Sequence, residues 1–212
     1  MGAEFVSNVA QFELMKLRIL NGGHAAIAYP GALLGHWFVH DAMADARVSG
    51  WLDRLTRAEI VPTLQPIPGV SYDAYREKIA DRFSNPEVGD TIPRLCLDGS
   101  NRQPKFVLPV LRQAMAENRP YAGLCLETAL WCRYCAGTDE SGNAIPPNDD
   151  NAADLKARAL AARTDPQAFL SNTLVFGPLG QDQRYAAAFA MALASLWSNG
   201  VAATLAAYAP AI

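Results

Sequence analysis

One short run concentrates the groups that could carry chemistry: Lys16-Leu17-Arg18-Ile19-Leu20-Asn21-Gly22-Gly23-His24. It offers an amine able to exchange a proton, a side-chain amide able to donate a hydrogen bond, and an imidazole able to do either. On one helix, residues eight apart are separated by roughly 80° beyond two full turns. Asn21 lies one turn before His24, so the three could line one wall of a pocket. Against this, a lysine on an amphipathic helix is usually solvated, Asn-Gly-Gly usually stops a helix, and a lone histidine is usually incidental. Spacing alone favours that blander reading.

Other candidates are weaker. Cys132-Arg133-Tyr134-Cys135, with Cys125 before it, has the spacing of half a zinc site, but no second pair follows, and core thiols are expected. His36 and His40 stand one helical turn apart with no third ligand in view, which leaves a small helical metalloprotein as the least favoured reading. Asp149, Asp150 and Asp154 are expected to be solvated loop charges and a helix start.

The elements that must position these groups read as helices. Apolar positions Phe12, Met15 and Ile19 predict a helix over 9–20 that ends at Gly22-Gly23. Pro30 suits the first turn of a second helix reaching about residue 49. A helix over 53–61 is followed by a loop rich in proline, and Ser71 caps a helix that Asn85-Pro86 ends. A short apolar segment covers 91–97, and Pro104 opens a helix through 116. A long apolar helix spans 121–136 and gives way to a polar loop over 137–150. Helices over 154–163, 166–171 and 181–198 complete the run, and no strand-turn-helix with a glycine-rich phosphate loop is present.

Composition narrows the class. Half of the 212 residues are apolar, enough for a sizeable core, and the net charge of −3 gives no field that would attract nucleic acid or anionic membrane. Four cysteines without a signal peptide read as reduced thiols in a cytoplasmic protein. Residues 1–8 are set aside as an N-terminal leader of the kind an expression vector adds, and 9–212 as one helical domain. Residues 185–212 carry no charge, but their apolarity is mostly alanine and Ser198-Asn199-Gly200 interrupts it. Two buried helices joined by a turn are expected there rather than a membrane span.

The Lys16 to His24 run resembles the Lys-x4-Asn-x2-His signature of the mannitol dehydrogenase family of polyol-specific long-chain dehydrogenases. Its flanks do too: Phe12-Glu13-Leu14-Met15, Ala25-Ala26-Ile27-Ala28-Tyr29, Arg82-Phe83-Ser84-Asn85-Pro86, Arg94-Leu95-Cys96-Leu97-Asp98-Gly99-Ser100 and Trp131-Cys132-Arg133-Tyr134. The resemblance covers nearly the whole chain. It implies an all-α, single multi-helix domain similar to the C-terminal domain of 6-phosphogluconate dehydrogenase. It also implies an oxidoreductase that interconverts a polyol or hexuronate and its ketose with NAD or NADP and no metal. Lys16 would be the general acid/base, Asn21 and His24 would hold the reacting oxygen, and Arg94 and Arg102 would bind the rest of the substrate. A lysine amine acts as base near neutral pH only when burial or nearby positive charge favours its neutral form, and Arg18 or an apolar wall is the expected source.

The sequence departs from the family pattern in two places. Position 102 is Arg where the pattern has Lys, and a forked guanidinium favours a carboxylate-bearing hexuronate over a neutral polyol. The dinucleotide-binding Rossmann domain is not within these residues, so the partner expected is such a domain in cis or trans, and the chain alone should be inactive. The competing reading is a non-catalytic helical interaction module that kept the fold and lost the chemistry. The first reading requires Lys16, Asn21 and His24 to share one face.

Overall fold

A computed structural model describes residues 9–146 and 148–208; the expected leader over 1–8 lies outside them. The described chain is all-α, and its only β pairing is the isolated bridges Phe38–Thr91 and Thr138–Ala144.

The first helical run does not stop where glycines predicted. α1 (Val9–Met15) passes through a π-helical turn (Lys16–Asn21) directly into α2 (Gly22–Leu33). Gly22 and Gly23 are buried in the helix because neighbours come close: a Cβ on Gly23 would lie 3.3 Å from the Phe83 ring and 3.6 Å from Leu52. Pro30, expected to open a helix, sits in the last turn of α2. Its missing N–H would orphan the Ala26 carbonyl, which instead accepts from the Trp51 indole at 2.9 Å.

The expected helix reaching residue 49 is broken around Gly35 (φ +81°) and replaced by α3 (Val39–Ala44) and α4 (Ala46–Leu55). α4 runs on through a second π turn (Thr56–Ile60) and a 3-10 turn (Val61–Thr63). α5 (Tyr72–Ser84) is capped as expected, with Ser71 Oγ accepting from the Ala74 N–H at 3.2 Å. The 91–97 segment is helical, as α6 (Ile92–Cys96). The helix expected to open at Pro104 is two, α7 (Gly99–Phe106) and α8 (Leu108–Ala116), with Pro104 inside the first and Pro109 opening the second.

α9 (Ala122–Cys135) is the axis of the core, with every residue from 123 to 134 buried. Burying side chains such as Leu130 and Trp131 stabilises the fold by about 2–3 kcal/mol each. Its first amides, on Gly123 and Leu124, donate at 2.8 Å to the two oxygens of buried Glu59, which also accepts from the Tyr208 hydroxyl at 2.9 Å. Cys125 and Cys132 are thiols buried in this helix, as expected for core cysteines. α10 (Ala152–Ala161), α11 (Gln167–Leu170) and α12 (Thr173–Phe176) lead to α13 (Gln183–Ala207).

α13 lays Tyr185, Phe189, Leu193 and Leu196 into the core, and the Tyr185 hydroxyl donates to Thr128 Oγ1 at 3.0 Å. It breaks at Gly200 (φ +81°), within the expected interruption, where Glu140 accepts from the Val201 N–H at 2.8 Å. Burial is confined to one stripe, however, and Ala187, Met191 and Ala194 face outward. By length and composition alone this helix could cross a membrane, and 22% of its most apolar window is buried.

Candidate functional site

The π turn decides how the Lys16 to His24 run is displayed. In an α-helix Lys16 and Asn21, five residues apart, would point about 140° away from each other. A π turn closes i to i+5, which returns position 21 to the side of position 16. The Gly22 N–H makes this closure by bonding Leu17 O, shared with Ile19 O. From Asn21 the helix is regular, and His24 follows one turn later on nearly the same side.

Asn21, His24, Arg94 and Arg102 meet in one cleft of about 360 Å³, whose other walls include Tyr29, Asp98 and Lys105. Lys16 is exposed and lies outside this lining, one π turn before Asn21. Among the described residues, neither the Asn21 amide nor the Lys16 amine makes a hydrogen bond, and both are free for a ligand. Arg18 turns the other way from its expected place beside the lysine amine. Its guanidinium is buried, donating to Thr63 O at 2.9 Å and Gln113 Oε1 at 2.7 Å.

His24 packs its ring against Phe83, centroids 4.7 Å apart and planes tilted by 33°. Burial is the main cause that lowers its pKa to about 4, reinforced by the Arg94, Arg102 and Arg82 charges and opposed by Asp90. The imidazole is therefore neutral at pH 7 and can donate one hydrogen bond and accept another. Arg94 is held by Asp90, and that pair raises the arginine pKa and lowers the carboxyl's. Among the described residues Arg102 bonds only main chain, Leu95 O at 3.0 Å and Arg94 O at 3.5 Å.

Under this cleft lies a buried polar pair that sequence patterns did not suggest. Gln103 Nε2 donates to Glu127 Oε1 at 2.7 Å, and both residues are almost wholly buried. Burial pushes the Glu127 carboxyl up to about 8, so it is largely protonated at neutral pH. Gln103 also lies against the Tyr29 hydroxyl, whose pKa burial raises further.

The weaker candidates resolve locally. His36 turns to Asp45 at 3.2 Å and His40 to Asp41 at 3.5 Å, and no group of three potential metal ligands occurs among the described residues. Asp149 is not a solvated loop charge. It accepts from both the Ser100 N–H and Oγ at 2.8 Å, pinning the 137–150 loop to the start of α7.

The mannitol dehydrogenase C-terminal domain family matches residues 8–197. The chain belongs to that family. Its relatives include the mannitol 2-dehydrogenases of Cereibacter sphaeroides, 48% identical over 204 residues, and of Aspergillus oryzae, 37% identical over 211. These alignments take in 96% and 98% of this chain but 43% and 42% of the relatives. Among solved structures, Pseudomonas fluorescens mannitol 2-dehydrogenase, in a ternary complex with NAD and D-mannitol, is 32% identical with a TM-score of 0.91. The match covers 97% of this chain and 42% of that one. The chain thus spans about two-fifths of the length of these mannitol dehydrogenases. Within the family's helical domain, the cleft residues missed by sequence reasoning are Tyr29, Asp98 and Lys105. Asp90 and Glu127 were missed as well, although Asp90-x3-Arg94 has the spacing of an i,i+4 ion pair.

Proposed function

We propose that this chain supplies the proton-transfer and substrate-binding half of an NAD-dependent oxidoreductase that interconverts a mannitol-like polyol and its ketose. The observation that carries this reading is the meeting of Asn21, His24, Arg94 and Arg102 in one cleft, with Lys16 returned to the Asn21 side by the π turn. Its family relatives are mannitol 2-dehydrogenases, and the P. fluorescens enzyme binds NAD and D-mannitol.

The described residues contain no strand followed by a glycine-rich loop and helix, so a dinucleotide would be held by a separate nucleotide-binding domain. When bound there, the nicotinamide supplies the hydride acceptor. Lys16, exposed in this chain, would be shielded from water by the nucleotide-binding domain packed over it, and there takes the proton of the hydroxyl whose carbon is oxidised and returns it in the reverse direction. The Asn21 amide and the neutral His24 imidazole hydrogen-bond that oxygen and stabilise the negative charge it gains as the proton leaves. Arg94, oriented by Asp90, binds the more distant hydroxyls.

Arg102 favours a second substrate class. Arg94 is already engaged by a carboxylate, whereas Arg102 meets only carbonyls among the described residues, leaving its charge open to a hexuronate carboxylate.

The test is oxidation of a polyol panel, and reduction of fructose and fructuronate, by this chain co-expressed with a nucleotide-binding domain of the family. Turnover that Lys16→Ala abolishes is the expected result. Absence of turnover in a stable, nucleotide-bound complex would favour the non-catalytic module.

A further inference from the structure

The Lys-x4-Asn spacing works only in π register, and a π turn needs something to hold it. An α turn satisfies the same backbone groups with better packing, so π turns are rare and persist where surrounding structure or function retains them. Here the candidate restraint lies inside the turn itself. Arg18 is 8% exposed, and its Nη1 donates to Thr63 O at 2.9 Å and to Thr63 Oγ1 at 2.6 Å, while its Nη2 donates to Gln113 Oε1 at 2.7 Å.

The acceptors are themselves braced. Thr63 ends the 3-10 turn that follows the second π turn, and its hydroxyl donates to Ile60 O at 2.6 Å. Gln113, on α8, donates back to Thr63 O at 3.0 Å. Among the described residues no carboxylate is within ion-pair distance of Arg18, and Glu117, which accepts from Gln113 Nε2 at 2.7 Å, acts on it only at longer range. A charge buried against neutral acceptors is costly, and the fork geometry of a guanidinium allows it to reach two elements at once.

We propose that Arg18 is a positioning residue: its clamp on Thr63 and Gln113 holds 16–21 in π register and so keeps Lys16 on the same side of the helix as Asn21. This rests on the proposed function, in which Lys16 and Asn21 serve one oxygen. Cutting the clamp lets the segment relax to α register and swings Lys16 away from Asn21, while His24, Arg94 and Arg102 stay on other turns. Misplacing one reacting group by about 1 Å can cost a hundredfold in rate.

The test pairs a register measurement with kinetics on Arg18→Met and on Gln113→Met, a milder change at a half-buried position that removes one of the three Arg18 bonds and the Gln113 brace on Thr63 O. In the isotopically labelled chain, the scalar coupling across the hydrogen bond from Gly22 N to Leu17 C′ reports the π closure. The expected result is its replacement by a coupling to the carbonyl carbon of residue 18. In the enzyme reconstituted with its nucleotide domain, kcat per titrated active site should fall about hundredfold in Arg18→Met and about tenfold in Gln113→Met, with KM for the polyol within threefold. A residue that merely stabilises the fold would lower Tm and the number of active sites without changing register or kcat per site. If Arg18→Met does not fold, Gln113→Met carries both measurements. Register retained in the variants, or register lost with kcat unchanged, overturns the proposal. Failure of the functional reading shows itself separately, as a Lys16→Ala enzyme that turns over like its parent, and the proposal falls with it whatever the coupling reports.

Discussion

Asp90 holds Arg94 through both carboxylate oxygens, one on Nε and the other on Nη2, from the turn that precedes α6. This fork fixes a half-exposed guanidinium at the cleft wall. Asp90→Asn retains the shape but loses the charge-assisted pair. The expected outcome is a KM for substrate raised roughly three- to tenfold with kcat little changed, because the pair is only partly shielded from water. Steady-state kinetics on the reconstituted enzyme check it.

His24 links the cleft to acid stability. Its folded pKa of about 4 lies below the 6.5 of an ordinary imidazole, so between those values the unfolded chain binds more protons. The His24 contribution is therefore complete above about pH 6.5 and declines as pH falls toward 4, by up to about 3 kcal/mol. Urea melts across this range should show the parent losing stability relative to His24→Gln as pH falls.

Glu127 has the opposite slope. Burial raises its carboxyl to about 8, so the folded chain keeps a proton that the unfolded chain releases above about 4.5. This contribution is fully present below pH 4.5 and is lost as pH rises to 8. Glu127→Gln keeps an acceptor for Gln103 without the titration. Its Tm relative to the parent should climb by roughly 8–16 °C between pH 4.5 and 8. A flat difference across that range would show that the carboxyl does not titrate as placed.

Gly99 is a packing glycine beneath the cleft. A Cβ there would lie 2.6 Å from the Trp131 indole nitrogen and 2.9 Å from the Tyr29 hydroxyl, two buried rings with little room to move. Gly99→Ala should cost about 1–3 kcal/mol, a Tm drop of roughly 2–10 °C, by overpacking. Tyr29 also lines the cleft, so substrate affinity should weaken along with stability, as calorimetric titration of the folded variant would register.

Helix class and most helix locations were readable because Tyr72, Tyr75, Ile79 and Phe83 recur at helical spacing, 122–135 is one long apolar run, and Ser71 announces its own cap. The misreadings share a cause. Gly22-Gly23 and Pro30 are breakers in an isolated helix, but here tertiary contacts reverse their meaning: Phe83 and Leu52 need the space at Gly23, and Trp51 supplies the donor that Pro30 lacks. The π turn leaves no periodic trace of its own, since one extra residue in a turn looks like noise in a 3.6-residue pattern. Asn21, His24, Arg94 and Arg102 were legible through the family signature, and the cleft unites them. Glu127 was not legible, because a carboxyl in the middle of an apolar helix identifies itself only once its burial is known.

The Glu59 carboxylate that caps α9 is completed by the hydroxyl of Tyr208, 149 positions later, and Arg54 likewise reaches the Leu205 carbonyl at 2.9 Å. Such distant partners make the assembly of this domain a late event on the ribosome. The axis helix can form as soon as it emerges and its two leading amides can meet Glu59 at once, but the carboxylate they share awaits Tyr208. Until that residue arrives, the nascent chain carries a buried acid short of its third donor, so pausing or premature termination shortly before Tyr208 would leave an intermediate with an incompletely sealed core rather than a slightly shorter domain.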